Sequence, residues 1–305
     1  MLRLLFSLIL CQSLFAFAAE PIKHTIEVDG HPMALWQKSP TQSRAVVLLL
    51  HGRTYSALPD FDLQVAGENL SFMDRITDLG FTVYALDGRG YGASPRDSSG
   101  WLTPDRAVRD AIAAIEWINK KEMTKVHLYG WSYGSMVSQL AAQRRPELLA
   151  SIMLFGYPFN PERHIKDKHF DYPSAPLRQA NTAKHAASDF IVANTISTKA
   201  IQAYVNQALA ADPIRVDFKN MHEWAEMDAS KITVPTLLLQ AEHDPLATTP
   251  LQLDLFTNIP IANKWWVVLA NGDHAALLES SSTEMLAAMN AFMTQTLHKP
   301  IKPAF

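Results

Sequence analysis

The chain has 305 residues, a formal net charge of −3, 48% hydrophobic residues and 19% charged residues. That length fits one large domain or two small ones, and the composition fits a well-cored globular protein and argues against disorder. The near-neutral charge provides no basic surface for nucleic acid and no acidic tail.

Met1-Leu2-Arg3, an apolar run to Ala18 and then "AFAAEP" read as a secretory leader, with small residues at Ala16 and Ala18 before the cut. The run is short for a span and is interrupted by Gln12 and Ser13, so residues 1–19 are expected to be removed on export to the periplasm or beyond. No stable membrane span is then expected in residues 20–305. Cys11 is the sole cysteine, too early and wrongly preceded (by Leu10) for a lipid-anchor site. Its removal leaves no disulfide, no thiol nucleophile and no cysteine metal site.

Along the mature chain, "HTIEVDGHPMALWQK" (24–38) alternates around Asp29-Gly30 and predicts a hairpin. "AVVLLLHG" (45–52) predicts a central strand buried on both faces, followed by a long loop and a helix over about 68–79. "FTVYALDGRGYGAS" (81–94) is a strand entering a glycine-rich turn, and Thr103-Pro104 opens a helix to about Asn119. "KVHLY" (125–129) and "ASIMLFGY" (150–157) are further strands. The alternation breaks over 157–232, which holds five prolines and helical fragments such as 199–210. It resumes with "PTLLLQAEHD" (235–244), a helix opened by Thr249-Pro250, the strand "KWWVVLANGDH" (264–274) and a last helix from about Thr283. The pattern predicts one α/β domain over 20–305, a mostly parallel, doubly wound sheet with a helical insertion after strand 6.

Between the strand ending at Tyr129 and the amphipathic helix from Ser135 lies Gly130-Trp131-Ser132-Tyr133-Gly134. A serine pinned in a strand–turn–helix between two glycines has the form of a nucleophile elbow, with its hydroxyl raised at the carboxyl edge of the sheet. A hydroxyl there needs a base and an orienting acid. His274 follows the last strand and Asp244 the one before it, so serine, acid and histidine come in that order, each in a turn at the same edge. Two backbone donors for an oxyanion are expected at Tyr133, next after the serine, and at Arg53, in the turn after the first central strand. His51 is read as a support of that loop. Asp273 adjoins His274 in the chain, but neighbouring side chains in a turn diverge, which selects Asp244 as the acid.

Taken in order, "HGRT", "DGRGYGAS", "GWSYGS", "EHDPL" and "GDHAAL" resemble the α/β-hydrolase superfamily over roughly 24–297. The resemblance implies an α/β-hydrolase fold with the insertion as a lid or cap, and a structural role for "DGRGYGAS". Serine at 132 separates the chain from relatives whose nucleophile is aspartate. What remains is acyl-transfer hydrolysis of a small-molecule ester, thioester or amide. The sequence carries no His-Glu-x-x-His spacing and no glycine-rich cofactor loop, so neither metal nor cofactor is implied.

Substrate is less defined. The insertion carries nine Lys/Arg and nine Asp/Glu, hence no charged funnel, and aromatic residues such as Phe159, Phe170, Phe218 and Trp224, some of which could roof an apolar acyl site. That favours an exported carboxylic-ester hydrolase. A serine aminopeptidase of the proline-iminopeptidase kind is the alternative and needs a carboxylate for the substrate amine, with Glu223 and Glu226 as candidates. A non-catalytic binding protein on the same scaffold is a third reading. Arg53 is placed either to meet a substrate carboxylate or to face solvent. Mass spectrometry of the exported protein is expected to find a mature N-terminus at Ala19 or Glu20.

Overall fold

In the computed structural model, which describes residues 20–162 and 171–297, Asp29 and Gly30 adopt φ of 51° and 72°. Two successive left-handed residues make the tight turn that joins antiparallel β1 (Ile22–Val28) to β2 (His31–Lys38), as the alternation predicts. The expected leader at 1–19 and Phe170 of the insertion lie outside the described residues.

The apolar runs become the parallel centre of a sheet: β3 (Val46–Leu50), β4 (Thr82–Leu86), β6 (Val126–Trp131), β7 (Leu149–Phe155), β9 (Thr236–Ala241) and β10 (Lys264–Leu269). A two-residue strand, β5 (Trp101–Leu102), and its partner β8 (Asp217–Phe218) stand apart from it. Among the described residues the main sheet runs β1-β2-β4-β3-β6-β7-β9-β10, antiparallel only at the β1–β2 and β2–β4 pairs. This is the mostly parallel, doubly wound arrangement expected. β3 shows why it must be buried on both sides. Val46, Leu48 and Leu50 enter one apolar cluster with helices Pro104–Glu122 and Tyr133–Arg144, while Val47 and Leu49 enter another with helices Phe72–Asp78 and Ser282–Leu297. Successive side chains of a strand point to opposite faces, so a continuous apolar run supplies two cores at once.

Capping sets several of the helix boundaries. Thr103 accepts from Arg106 N and opens Pro104–Glu122, which ends at Met123 in the left-handed region. Ser71 accepts from Asp74 N, so the helix expected from about 68 begins at Phe72. Three local details depart from the sequence reading. A short helix, Ala57–Phe61, interrupts the expected long loop after β3; strand β10 stops at Leu269; and β5 pairs with β8. Each depends on contacts across the chain that local pattern does not carry. The short helix is held by buried Asp87, whose Oδ1 accepts from Ala57 N and whose Oδ2 accepts from Trp36 Nε1 and Ala93 N. "DGRGYGAS" is thus a structural hub, with Arg89 paired to buried Asp110.

β7 is the sixth strand of the main sheet, and the chain leaves the sheet after it until β9. That excursion carries helices Ala183–Ala186 and Thr198–Ala211 and is tied down by buried polar contacts. Asp212 accepts from Ser56 N and Gly92 N, Tyr204 donates to Asp60, and Arg96 donates to the carbonyls of Ile214 and Arg215.

Where β6 meets the following helix, side chains are excluded outright. A Cβ on Gly130 would overlap the Gly134 carbonyl, and one on Gly134 would overlap the Leu50 carbonyl. Both obstacles are backbone, which cannot rotate away. Gly134→Ala is expected to cost about 3 kcal/mol of unfolding free energy or more, read from urea denaturation.

Candidate active site

Ser132 stands between β6 and helix Tyr133–Arg144 with φ 54° and ψ −117°, a region that non-glycine residues seldom occupy. The surroundings hold it there. Ser132 N donates to the Phe155 carbonyl of neighbouring β7 at 2.9 Å, and the Ser132 carbonyl accepts from Ser135 N at 2.9 Å and from Ser135 Oγ at 2.5 Å. The side chain is only half-buried, although its neighbours in the turn are packed away.

His274 and Asp244 meet across the turns that follow β10 and β9. Nδ1 of His274 donates to Oδ2 of Asp244 at 2.7 Å, and both side chains are almost fully enclosed. The other oxygen of Asp244 accepts from Leu246 N at 2.8 Å and Ala247 N at 3.1 Å, which fixes the carboxylate plane. Burial alone lowers the affinity of His274 for a proton. The hydrogen bond and the negative charge of Asp244 outweigh it, and the imidazole ends above its ordinary value of 6.5. For Asp244 burial raises and the His274 contact lowers, with a net value below the usual carboxylate range. An ionised Asp244 therefore keeps the proton on Nδ1 and leaves Nε2 as the basic nitrogen. Trp131 Nε1 donates to the His274 carbonyl at 2.8 Å and steadies that backbone.

Asp273, the chain neighbour of His274, faces elsewhere. Its Oδ2 accepts from Ile191 N and Val192 N, and its Oδ1 from Ala275 N. It ties the excursion to the β10 turn. His51 also has the supporting place expected of it: Nδ1 donates to the Gly52 carbonyl at 2.7 Å and Nε2 accepts from Gly88 N at 2.9 Å. Burial pushes its value down to about 4, so it stays uncharged.

Ser132 and His274 line one cavity of about 610 Å³, together with Arg53, Tyr133, Trp224 and Leu246. Among the described residues neither Arg53 N nor Tyr133 N has a hydrogen-bond partner within the protein, and both residues line this cavity. The Gly52 N–H beside them is anchored on Asp60 at 3.3 Å. The Arg53 side chain lies over the Phe218 ring at 4.9 Å, and Phe218 packs edge-on against Tyr133 at 5.1 Å.

The aromatic residues of the excursion divide as the sequence suggests. Tyr204 and Trp224 belong to the cores and also line the cavity, as does Met221, whereas Phe159 and Phe190 pack against the cores without lining it. The amine-holding candidates are a correction. Glu226 is held by Arg144 at 2.5 Å, and Glu223 accepts from Asp105 N at the start of helix Pro104–Glu122. Neither lines the cavity, because stronger partners on the core have already taken both carboxylates.

Several residues that sequence reasoning did not single out belong to the site. Gly156, just after β7 with φ 59°, lies so close that a Cβ there would sit 3.1 Å from His274 Cε1 and 3.3 Å from Asp244 Oδ2. Its signal was a glycine directly after a buried strand. Tyr55, Asp60, Asp189, His185 and Arg215 line the same cavity and carried no signal by pattern. Among the described residues no cluster of three metal-ligating side chains occurs, and no helix is long and apolar enough to cross a membrane.

The sheet order, the left-handed serine after β6 and the acid–histidine pair at the strand ends define an α/β-hydrolase. The chain belongs to the Hydrolase_4 family, described as "Serine aminopeptidase, S33", which matches residues 41–281. It is similar to "Serine hydrolase BPHL" of Homo sapiens, 30% identical over 142 residues that cover 46% of this chain and 45% of that protein. It is also similar to "Epoxide hydrolase 3" of Xenopus tropicalis, 27% identical over 192 residues, 62% of this chain and 47% of that one. The chain thus spans less than half the length of either relative. A thermophilic esterase from Thermogutta terrifontis shares the fold, with a TM-score of 0.62 at 19% identity over 91% of this chain and 99% of that one.

Two aspartates near one histidine can be told apart by substitution. Asp244→Asn is expected to keep the fold and lose turnover on the order of ~10⁴-fold, because the favoured tautomer and the imidazolium both lose support. Asp273→Asn is expected to cost about 1–3 kcal/mol of stability through its backbone donors and less than about ten-fold in turnover. Steady-state kinetics beside urea denaturation of the two variants make the comparison.

Proposed function

We propose that the protein is a serine hydrolase that cleaves carboxylic esters through an acyl-enzyme on Ser132, with His274 as base and Asp244 as orienting acid. The observation that carries this is the enclosed His274–Asp244 pair, at 2.7 Å, opening on the same cavity as a serine held at φ 54°. In the first half-reaction Ser132 Oγ attacks the ester carbonyl while Nε2 of His274 takes its proton. The tetrahedral oxyanion is received by the N–H groups of Arg53 and Tyr133. The C–O bond to the alcohol then breaks, and the imidazolium returns the proton to the departing oxygen. Water, deprotonated by the same Nε2, attacks the acyl-enzyme and releases the acid. No metal or cofactor enters these steps.

In this reading residues 157–232 act as a cap, since Tyr204, Met221 and Trp224 wall the cavity above the serine. Export from the cytoplasm is part of the proposal and rests on the leader read at residues 1–19. A serine aminopeptidase is the second reading, favoured by the family description and by the carboxylate of Asp189 in the cavity wall.

Ser132→Ala is expected to reduce turnover of 4-nitrophenyl esters to background while circular dichroism stays unchanged, and a fluorophosphonate is expected to label Ser132 in the wild type. Activity surviving within a few-fold would place the nucleophile elsewhere. Only neutral His274 accepts the serine proton, so kcat/KM should rise with pH. Because Asp244 raises the imidazole, the midpoint of that rise should lie above the ordinary 6.5. In residual Asp244→Asn activity the raising contact is gone and burial remains, so the midpoint should move down.

A further inference from the structure

The wall of the same cavity carries charged side chains besides those of the acid–histidine pair. Arg215, half-buried in its wall, donates from Nη2 to Nε2 of His185 at 2.5 Å. Among the described residues that is its one side-chain hydrogen bond, and no carboxylate comes within ion-pairing distance. Its partner supplies no counter-charge. Burial, and then the guanidinium itself, lower the value of His185 below 6.5, which keeps the ring neutral. Arg53, on the same cavity, is also without an ion pair and rests on Phe218.

Among the described residues the nearby acids form no ion pair with Arg215. Asp212 is engaged by Ser56 N and Gly92 N. Asp60 is enclosed, accepts from Tyr204 and Gly52, and is pushed by burial well above the carboxylate range. Asp189 is raised in the same direction by burial, and the charges acting on it are led by His274 and His185. Beside these groups the hydroxyl of Tyr55 is buried without a hydrogen-bond partner, although it lines the cavity. A buried hydroxyl left unpaired costs roughly 1–3 kcal/mol, and a half-buried guanidinium without an anion forgoes its strongest hydrogen bonds. Both deficits are met by one ligand group, an anion with two acceptor oxygens.

We infer that the substrate is an ester bearing a free carboxylate away from the scissile bond, held by the Arg215 guanidinium with the Tyr55 hydroxyl as second donor. This rests on the esterase reading of Ser132. Arg215 is then a specificity-determining residue that contributes to binding and leaves the acyl-transfer steps as written. The balanced charge of residues 157–232 concealed it, since nothing in the sequence shows that Arg215 reaches the cavity without a carboxylate beside it.

The test compares 4-nitrophenyl hydrogen adipate with 4-nitrophenyl hexanoate, which differ in a terminal carboxylate for a methyl group. A second arm, 3-(hexanoyloxy)benzoate against phenyl hexanoate, puts the carboxylate on the alcohol side. In at least one arm the wild type should favour the anionic ester in kcat/KM by about ten- to hundred-fold, the range of a charge-assisted hydrogen bond. Arg215→Gln should collapse that ratio, chiefly through KM, and Arg215→Lys should restore part of it. A wild-type preference for the neutral ester in both arms overturns the inference, as does an Arg215→Gln loss that is equal for both members of a pair. If Arg215→Gln does not fold, inhibition of the wild type by adipate and not by adipamide supports the inference. Equal inhibition, or none by either, overturns it. Fluorophosphonate labelling of Ser132 in the same preparations keeps the two readings separate. Unlabelled Ser132 with undiminished turnover removes Ser132 as the nucleophile, on which this inference rests, whereas normal labelling without charge preference removes only this inference.

Discussion

A serine at φ 54° and ψ −117° raises the free energy of the fold by about 1–3 kcal/mol and persists only where its surroundings leave no alternative. Here β6 delivers the chain under Phe155, whose carbonyl takes Ser132 N, and the next helix returns close enough to exclude a Cβ at Gly130 or Gly134. Relaxing the serine would mean separating β6 from β7 or lifting the helix from β3. The central sheet is therefore the support of the site as well as the core of the domain. Its double burial, with Val47 and Leu49 on one face and Leu48 and Leu50 on the other, gives that support its stiffness.

The excursion between β7 and β9 is held by a different device. It joins the sheet body through enclosed carboxylates that receive backbone N–H groups: Asp212 from Ser56 and Gly92, and Asp273 from Ile191 and Val192. Such bonds are directional and poorly hydrated, so they define where the excursion sits more narrowly than apolar contact would. Two further acids of the excursion are already engaged, Glu223 by Asp105 N and Glu226 by the Arg144 guanidinium. Glu223 and Glu226 are attachment points, whereas Asp189, with no hydrogen bond or ion pair among the described residues, faces the cavity.

Much of the framework can be read in the sequence because its causes are local. Apolar runs such as 46–50 and 236–241, the cap at Thr103, and the Gly-x-Ser-x-Gly turn each carry their meaning within a few residues. Placing Asp244 against His274 also succeeded, since both follow neighbouring parallel strands, whose ends align. What could not be read depends on contacts between distant segments. The engagement of Glu226 by Arg144 and the absence of a carboxylate near Arg215 are properties of packing, and nothing in the adjacent residues encodes them.

The two histidines at the carboxyl edge of the sheet show how narrow the difference between support and chemistry is. His51 and His274 are both enclosed, and burial disfavours the charged ring in each. At His51 only the hydrogen bond to the Gly52 carbonyl opposes it, and burial wins. The ring stays neutral, and its Nε2 is already used as an acceptor for Gly88 N, so it has no lone pair left for a substrate proton. At His274 one carboxylate oxygen at 2.7 Å reverses the sign of the shift, takes the Nδ1 proton and leaves Nε2 basic. Asp244 can exert that effect because Leu246 N and Ala247 N hold its other oxygen, so the turn after β9 sets the basicity of a residue in the turn after β10. The reactivity of the site is thereby a property of the alignment of two neighbouring strands, and a shift between β9 and β10 would alter it without changing any residue in the cavity.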